Sequence, residues 1–129
     1  MKKITVFILF CFCFFASSAF SEMRKVAQNT VGSVYYVDFD SIIKKSEYVY
    51  YWGLTNYKKA KSTGTKSIKY FKELDCVFIR YKFLTDHAFT GDMGTGEIKI
   101  NNTPDKEWNY AAPGSVGYSV YKTVCDYIK

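Results

Sequence analysis

Between residues 34 and 100 the apolar positions of the chain alternate rather than follow a helical period. "VYYVDF" (34–39) and "YVYYWGL" (48–54) are runs of β-branched and aromatic residues, which suit a pleated, half-buried surface. Asp38, Asp40 and Ser41 lie between them as turn formers, so two antiparallel strands are expected. "YFKELDCVFIRYKFL" (70–84) is the longest strand candidate, with a break expected near Glu73 to Asp75. In its second half Val77, Ile79, Tyr81 and Phe83 alternate with Phe78, Arg80 and Lys82, a period of two. Both faces are apolar around Cys76, which places that part centrally in the sheet. The polar segment 22–33 reads as a mobile lead-in or a partly paired edge. "TGDMGTGE" turns the chain into a short strand over Glu97 to Ile100, and "NNTPDKE" is a further turn before Trp108 and Tyr110.

The C-terminal segment changes period. Pro113 and Gly114 break what precedes, and Ser115 is a helix N-cap candidate. Gly117, Val120, Tyr121, Val124, Cys125 and Ile128 then recur at helical spacing as one apolar stripe. A helix holding a glycine and several β-branched residues needs tertiary packing to persist, so the stripe is expected to lie on the sheet. The fold class is therefore α+β: a small antiparallel sheet of five or six strands with a C-terminal helix packed on one face.

The N-terminus carries a different signal. Lys2 and Lys3 precede an apolar run from Ile4 to Phe15, and small residues follow, ending in "AFS". This is the layout of a signal peptide over residues 1–21, and the run is short of the roughly 20 residues a membrane span needs. Cleavage is expected after Ser21, with Ala19 as the alternative. Phe10 precedes Cys11 and Phe12 precedes Cys13, so neither cysteine has the small residue before it that a lipid anchor requires. No transmembrane segment is expected after cleavage. Removing 21 of 129 residues leaves 108, residues 22–129, which suits a single domain. The formal charge falls from +6 to +4, because two lysines and no acids are lost.

Cleavage also leaves Cys76 and Cys125 as the remaining cysteines of four. In an oxidising compartment they are expected to pair, tying the helix to the sheet; two unpaired buried thiols are the alternative. No CxxC motif is present, and His87 is the single histidine, with no serine or cysteine neighbour that suggests a catalytic pairing. "GDMGTG" lacks the GK[ST] ending of a phosphate-binding loop, and the acids do not cluster as metal ligands do. The chain is read as no enzyme, with no cofactor and no nucleic-acid partner.

Two features remain as binding surfaces. Lys58, Lys59, Lys61, Lys66, Lys69 and Lys72 run from a loop bending at Gly64 into the long strand. They suit either an acidic partner or the protection of a strand edge. Aromatic residues make up 19% of the chain, and Tyr48, Tyr50, Tyr51 and Trp52 cannot all face one core. Some must cover the helix-free face of the sheet, where they would form a homodimer interface, a ligand platform or a surface shielded by loops.

"YYVDFDSI", "KSIKYFKELDC" with an arginine four residues on, "MGTGE" and "EWNYAAPGSVGYSVYKTVC" together resemble the surface-adhesin protein E family of Gram-negative bacteria, over about Val34 to Cys125. The resemblance implies an exported antiparallel sheet with a C-terminal helix held by a disulfide. It also implies binding of host matrix or plasma proteins, such as vitronectin and laminin, through a basic, aromatic stretch. The matching positions are Lys66, Lys69, Tyr70, Lys72, Arg80 and Lys82. Because the family's founding adhesin is a lipoprotein and no lipobox is found here, both the outer surface and the periplasm remain open. The function expected is a non-enzymatic, adhesin-like binding protein. The alternative is a periplasmic structural or envelope-associated protein with no host ligand.

Overall fold

The computed structural model describes residues 22–128, so the expected signal peptide lies outside the described residues. The chain runs up and down through β1 (Met23–Gln28), β2 (Val34–Lys45), β3 (Tyr48–Asn56), β4 (Ser67–Asp75), β5 (Arg80–Phe89) and β6 (Ile98–Asn101). Each strand pairs antiparallel with the next in sequence. A two-residue β7 (Asn109–Tyr110) pairs with the start of β5, and α1 (Val116–Tyr127) closes the fold. The α+β class stands, with the six-strand sheet and the C-terminal helix as read from the sequence. The segment 22–33 contributes a paired edge strand, not a mobile lead-in.

The alternation of side chains sorts the sheet into two faces. Val37, Val49, Tyr51, Tyr70 and Leu74 point one way and are buried against Val120, Tyr121, Val124 and Cys125 of α1. Burying a side chain of this size contributes roughly 1.5–3 kcal/mol, and this layer holds the core. Ser115 caps α1, its hydroxyl accepting the Tyr118 N–H at 3.1 Å.

Two expectations of local structure are corrected. Asp38, Asp40 and Ser41 do not end a strand; β2 continues to Lys45 through a bulge between Asp38 and Ile43. Asp38 Oδ1 accepts the Asp40 N–H at 3.1 Å, and the Ser41 hydroxyl donates to the Asp38 carbonyl while accepting the Trp52 N–H. These groups supply the partners that the bulge removes from the ladder. The hairpin turns instead at Ser46 and Glu47, where Ser46 takes φ 56°.

The second correction concerns Cys76. The chain reverses over residues 76–79, so Cys76 stands at the end of the sheet and not at its centre. Val77 and Phe78 are 81% and 64% exposed at the tip of this turn. Cys76 is bonded to Cys125 on the last turn of α1, with Cα atoms 5.8 Å apart. The disulfide therefore joins one end of the sheet to the end of the helix.

Candidate functional site

The face of the sheet turned away from α1 carries a continuous aromatic row. Tyr50 and Trp52 come from β3, Phe71 from β4 and His87 from β5. Trp52 stacks on Phe71 with centroids 5.1 Å apart and planes 28° from parallel. Tyr50 lies 6.1 Å from Phe71, and His87 lies 5.7 Å from Trp52. Register makes the row: Trp52 is opposite Phe71, Tyr50 opposite Glu73, and Lys69 opposite His87. These rings are half-buried. Ile43, opposite Tyr50, and Ile100, opposite His87, extend the apolar surface and are exposed.

Cations border this row. Lys69 Nζ lies 5.1 Å from the Trp52 ring. Toward the other end, Arg80 and Lys82 lie 4.6 and 4.8 Å from the ring of Trp108, which itself meets Tyr48 at 5.2 Å. Such contacts hold cations over rings, and Arg80 in addition donates to Asp75 and to the Tyr110 hydroxyl. Glu73 is the acid within the row, and it accepts a 2.6 Å hydrogen bond from the Tyr50 hydroxyl. That bond, reinforced by burial, pushes the Tyr50 phenol up to about 12.

The six residues matched to the family's binding stretch separate into three places. Lys69, Arg80 and Lys82 lie with the outer aromatic face. Lys66 is held at the β3–β4 connection, donating to the Tyr57 carbonyl and pairing with Asp92 at 2.6 Å. Hydrogen bonds from Lys66 and Asn56 hold the Asp92 carboxyl below its ordinary range. Tyr70 and Lys72 point the opposite way, beneath α1, and both are buried. The structure thus brings three of the six to one surface and puts two on the other side of the sheet.

Sequence reasoning had no separate place for Lys72. Its Nζ donates to the Tyr121 hydroxyl at 2.7 Å and is ringed by Tyr70, Tyr81, Phe83 and Tyr121 at 4.1–4.9 Å. Burial lowers its pKa to about 7, against the opposing pull of the Asp105 charge. Burial likewise pushes the Tyr70 phenol up to about 12 and raises the Tyr51 and Tyr121 phenols. A signal was available: Lys72 lies two residues from both Tyr70 and Leu74, so all three share a face.

At the end of the sheet, Asp75 organises the turn. Its carboxylate accepts Arg80 Nε at 2.8 Å and the Val77 and Phe78 N–H groups at 2.9 and 3.4 Å. Burial disfavours its charge, but these donors outweigh burial and hold the carboxyl below the ordinary carboxylate range. The "D-C" and following arginine noted in the sequence thus form the clamp around the turn that presents Cys76.

Among the described residues no three His, Cys, Asp or Glu side chains come together as metal ligands. "GDMGTG" forms a tight 3₁₀ turn at Asp92–Gly94. Its Met93 and Gly94 N–H groups are taken by Asn56 Oδ1 and Ser67 Oγ, so they do not form a free anion cradle.

The fold is an antiparallel sheet backed by one pinned helix, with its opposite face aromatic and edged by cations. The model of the surface-adhesin protein E family matches residues 21–126, and the chain belongs to that family. It is a family of adhesins and not of enzymes. Crystal form II of Haemophilus influenzae protein E superposes with a TM-score of 0.65 at 18% identity, covering 84% of this chain and 91% of that one. A second structure of Haemophilus influenzae protein E gives 0.59 at 16% identity, covering 82% and 85%. Protein E from non-typeable Haemophilus influenzae gives 0.58 at 17% identity, covering 85% and 79%. At these identities the superpositions speak for the fold alone. No curated protein matches the chain.

Proposed function

We propose that the chain is an exported adhesin whose helix-free sheet face docks an extended, acidic and amphipathic segment of a host matrix or plasma protein. The observation that carries this reading is the row Tyr50–Phe71–Trp52–His87, left uncovered by α1 and edged by Lys69 and Lys82. Aromatic rings supply contact area at low entropic cost, and the rim lysines select acidic partners. Lys72 and Tyr70 play no part in this contact, because they face the helix. Display on the outer surface, after loss of residues 1–21, belongs to the same reading.

The test is titration of the folded protein against immobilised vitronectin and laminin at several salt concentrations. Lys69→Glu with Lys82→Glu is expected to weaken binding at least tenfold and flatten its salt dependence. Trp52→Ala is expected to weaken it with the salt dependence kept. Binding unchanged in both variants would remove this face from the contact. Sedimentation of the same variants separates a host ligand from self-association: a wild-type dimer broken by Trp52→Ala would assign the face to a second copy of the chain instead.

A further inference from the structure

On the opposite side of the sheet, beneath the first half of α1, lies a cavity of about 310 Å³. This is at the small end of the range for small-molecule sites. Tyr35, Tyr57, Tyr81 and Phe83 stand in its aromatic wall, and Lys72 lines it. Lys72 is 6% exposed. An ammonium group has three donors; one goes to Tyr121 Oη, and the four nearby rings attract the charge without accepting as an anion would. Neither salt bridge among the described residues includes Lys72. A buried cation without an anion is costly, yet this one borders open space into which an anion fits.

Two further features favour a negative guest. Gly117, in the first turn of α1, lines the cavity and has no side chain to close it. The positive end of the helix dipole is at that same turn. Lys61, on the β3–β4 loop, adds a second cation to the lining.

We propose that this cavity binds a small amphipathic carboxylate, its carboxyl group paired with Lys72 and its apolar body held against the rings of Tyr81 and Phe83. One buried ammonium, with no arginine fork in the lining, suits a single negative charge rather than a phosphate. The aromatic wall selects an apolar or aromatic body, and the volume keeps it short. This site is independent of the outer face and does not rest on its role.

The experiment is calorimetric titration of the folded, oxidised protein with 3-phenylpropionate and with its uncharged counterpart, 3-phenylpropanamide. The acid is expected to bind at least tenfold more tightly than the amide. At pH 8 its binding is expected to take up close to one proton, because Lys72, lowered to about 7 by burial, regains its charge against the carboxylate. The other ionisable groups around it are Tyr35, Tyr57, Tyr70, Tyr81, Tyr121 and Lys61 of the lining, and Asp105. Heats measured in buffers of different ionisation enthalpy read the uptake directly. Lys72→Met is expected to abolish the preference for the acid. Gly117→Leu, whose Cβ would meet nothing closer than 3.9 Å, is expected to fold and to weaken both probes at least fivefold. Equal binding of acid and amide, no proton uptake, no effect of Gly117→Leu, or no binding at millimolar probe would each overturn the proposal. The wild-type proton count decides even where Lys72→Met does not fold.

Discussion

The Lys72 ammonium reaches 2.7 Å across the seam between sheet and helix to the Tyr121 hydroxyl, with no carboxylate among the described residues bonded to it. Its pKa of about 7 in the fold compares with an ordinary 10.5. Between those values the unfolded chain binds more protons than the folded one, so stability must rise with pH. The rise is up to ~1.4 kcal/mol per pH unit for one group. Above pH 10 the opposite holds, since Tyr70 keeps its proton to about 12 in the fold while an unfolded tyrosine releases it near 10. Denaturant unfolding from pH 6 to 11 is therefore expected to show stability climbing above 7 and declining beyond about 10. Lys72→Met is expected to remove the climb and keep the decline. Parallel curves for wild type and variant would show that the lysine is not desolvated as described.

Gly53 of β3 lies under the ring of Tyr70. A Cβ placed there would come within 2.5 Å of Tyr70 Cε2 and 2.9 Å of its hydroxyl. Both residues face the helix, so the ring has little room to yield. Gly53→Ala is expected to cost about 1–3 kcal/mol, as overpacking does. Tyr70→Leu should cost stability alone yet relieve part of the Gly53→Ala penalty, giving a coupling of at least ~0.5 kcal/mol in a double-mutant cycle. Additive costs would mean that the two side chains do not compete for space.

Asp75 and Arg80 close the turn that carries Cys76. Asp75→Asn keeps the shape but loses the charge that three donors share, and is expected to cost about 1–3 kcal/mol in denaturant unfolding. The Asp75 carboxyl lies below its ordinary 3.8 in the fold. Its contribution is therefore complete above that value and is lost as pH falls through the lower, folded one. Asp75→Asn should make the acid limb of the stability curve shallower. An unchanged acid limb would show that other carboxylates set it.

Much of this was legible before the fold was known. The stripe Val120, Tyr121, Val124 and Cys125 announced a helix against a sheet, and Ser115 marked its start, because caps and periodicity are local signals. The bulge in β2 was misread because Asp38 and Ser41 bond to nearby backbone in a bulge as readily as in a turn. The turn at 76–79 was hidden by its apolar residues, Val77, Phe78 and Ile79. There the Asp75 carboxylate supplies the hydrogen bonds that turn residues usually make, and Ile79 takes φ 49°. Lys72 was read as surface because lysine usually is. Only the packing of Tyr121 over β4 shows that its ammonium is enclosed.

The bond between Cys76 and Cys125 spans 49 residues, and in the chain-entropy account closing such a loop is worth roughly 4 kcal/mol. It also holds α1 at one end, while Ser115 caps the other. Replacing both cysteines with serine is expected to lower stability by about 3–4 kcal/mol. Hydrogen exchange should show the amides of α1 losing protection before those of β3 and β4, which are paired on both sides. The two faces of the sheet then respond differently. The aromatic row of Tyr50, Trp52 and Phe71 is built on strands alone, so its contacts should survive reduction. The Lys72 cavity needs Tyr121 of α1 as a wall, so carboxylate binding should fail as the helix loosens. Loss of protection evenly across sheet and helix would instead make the disulfide a staple of the whole fold rather than of its last element.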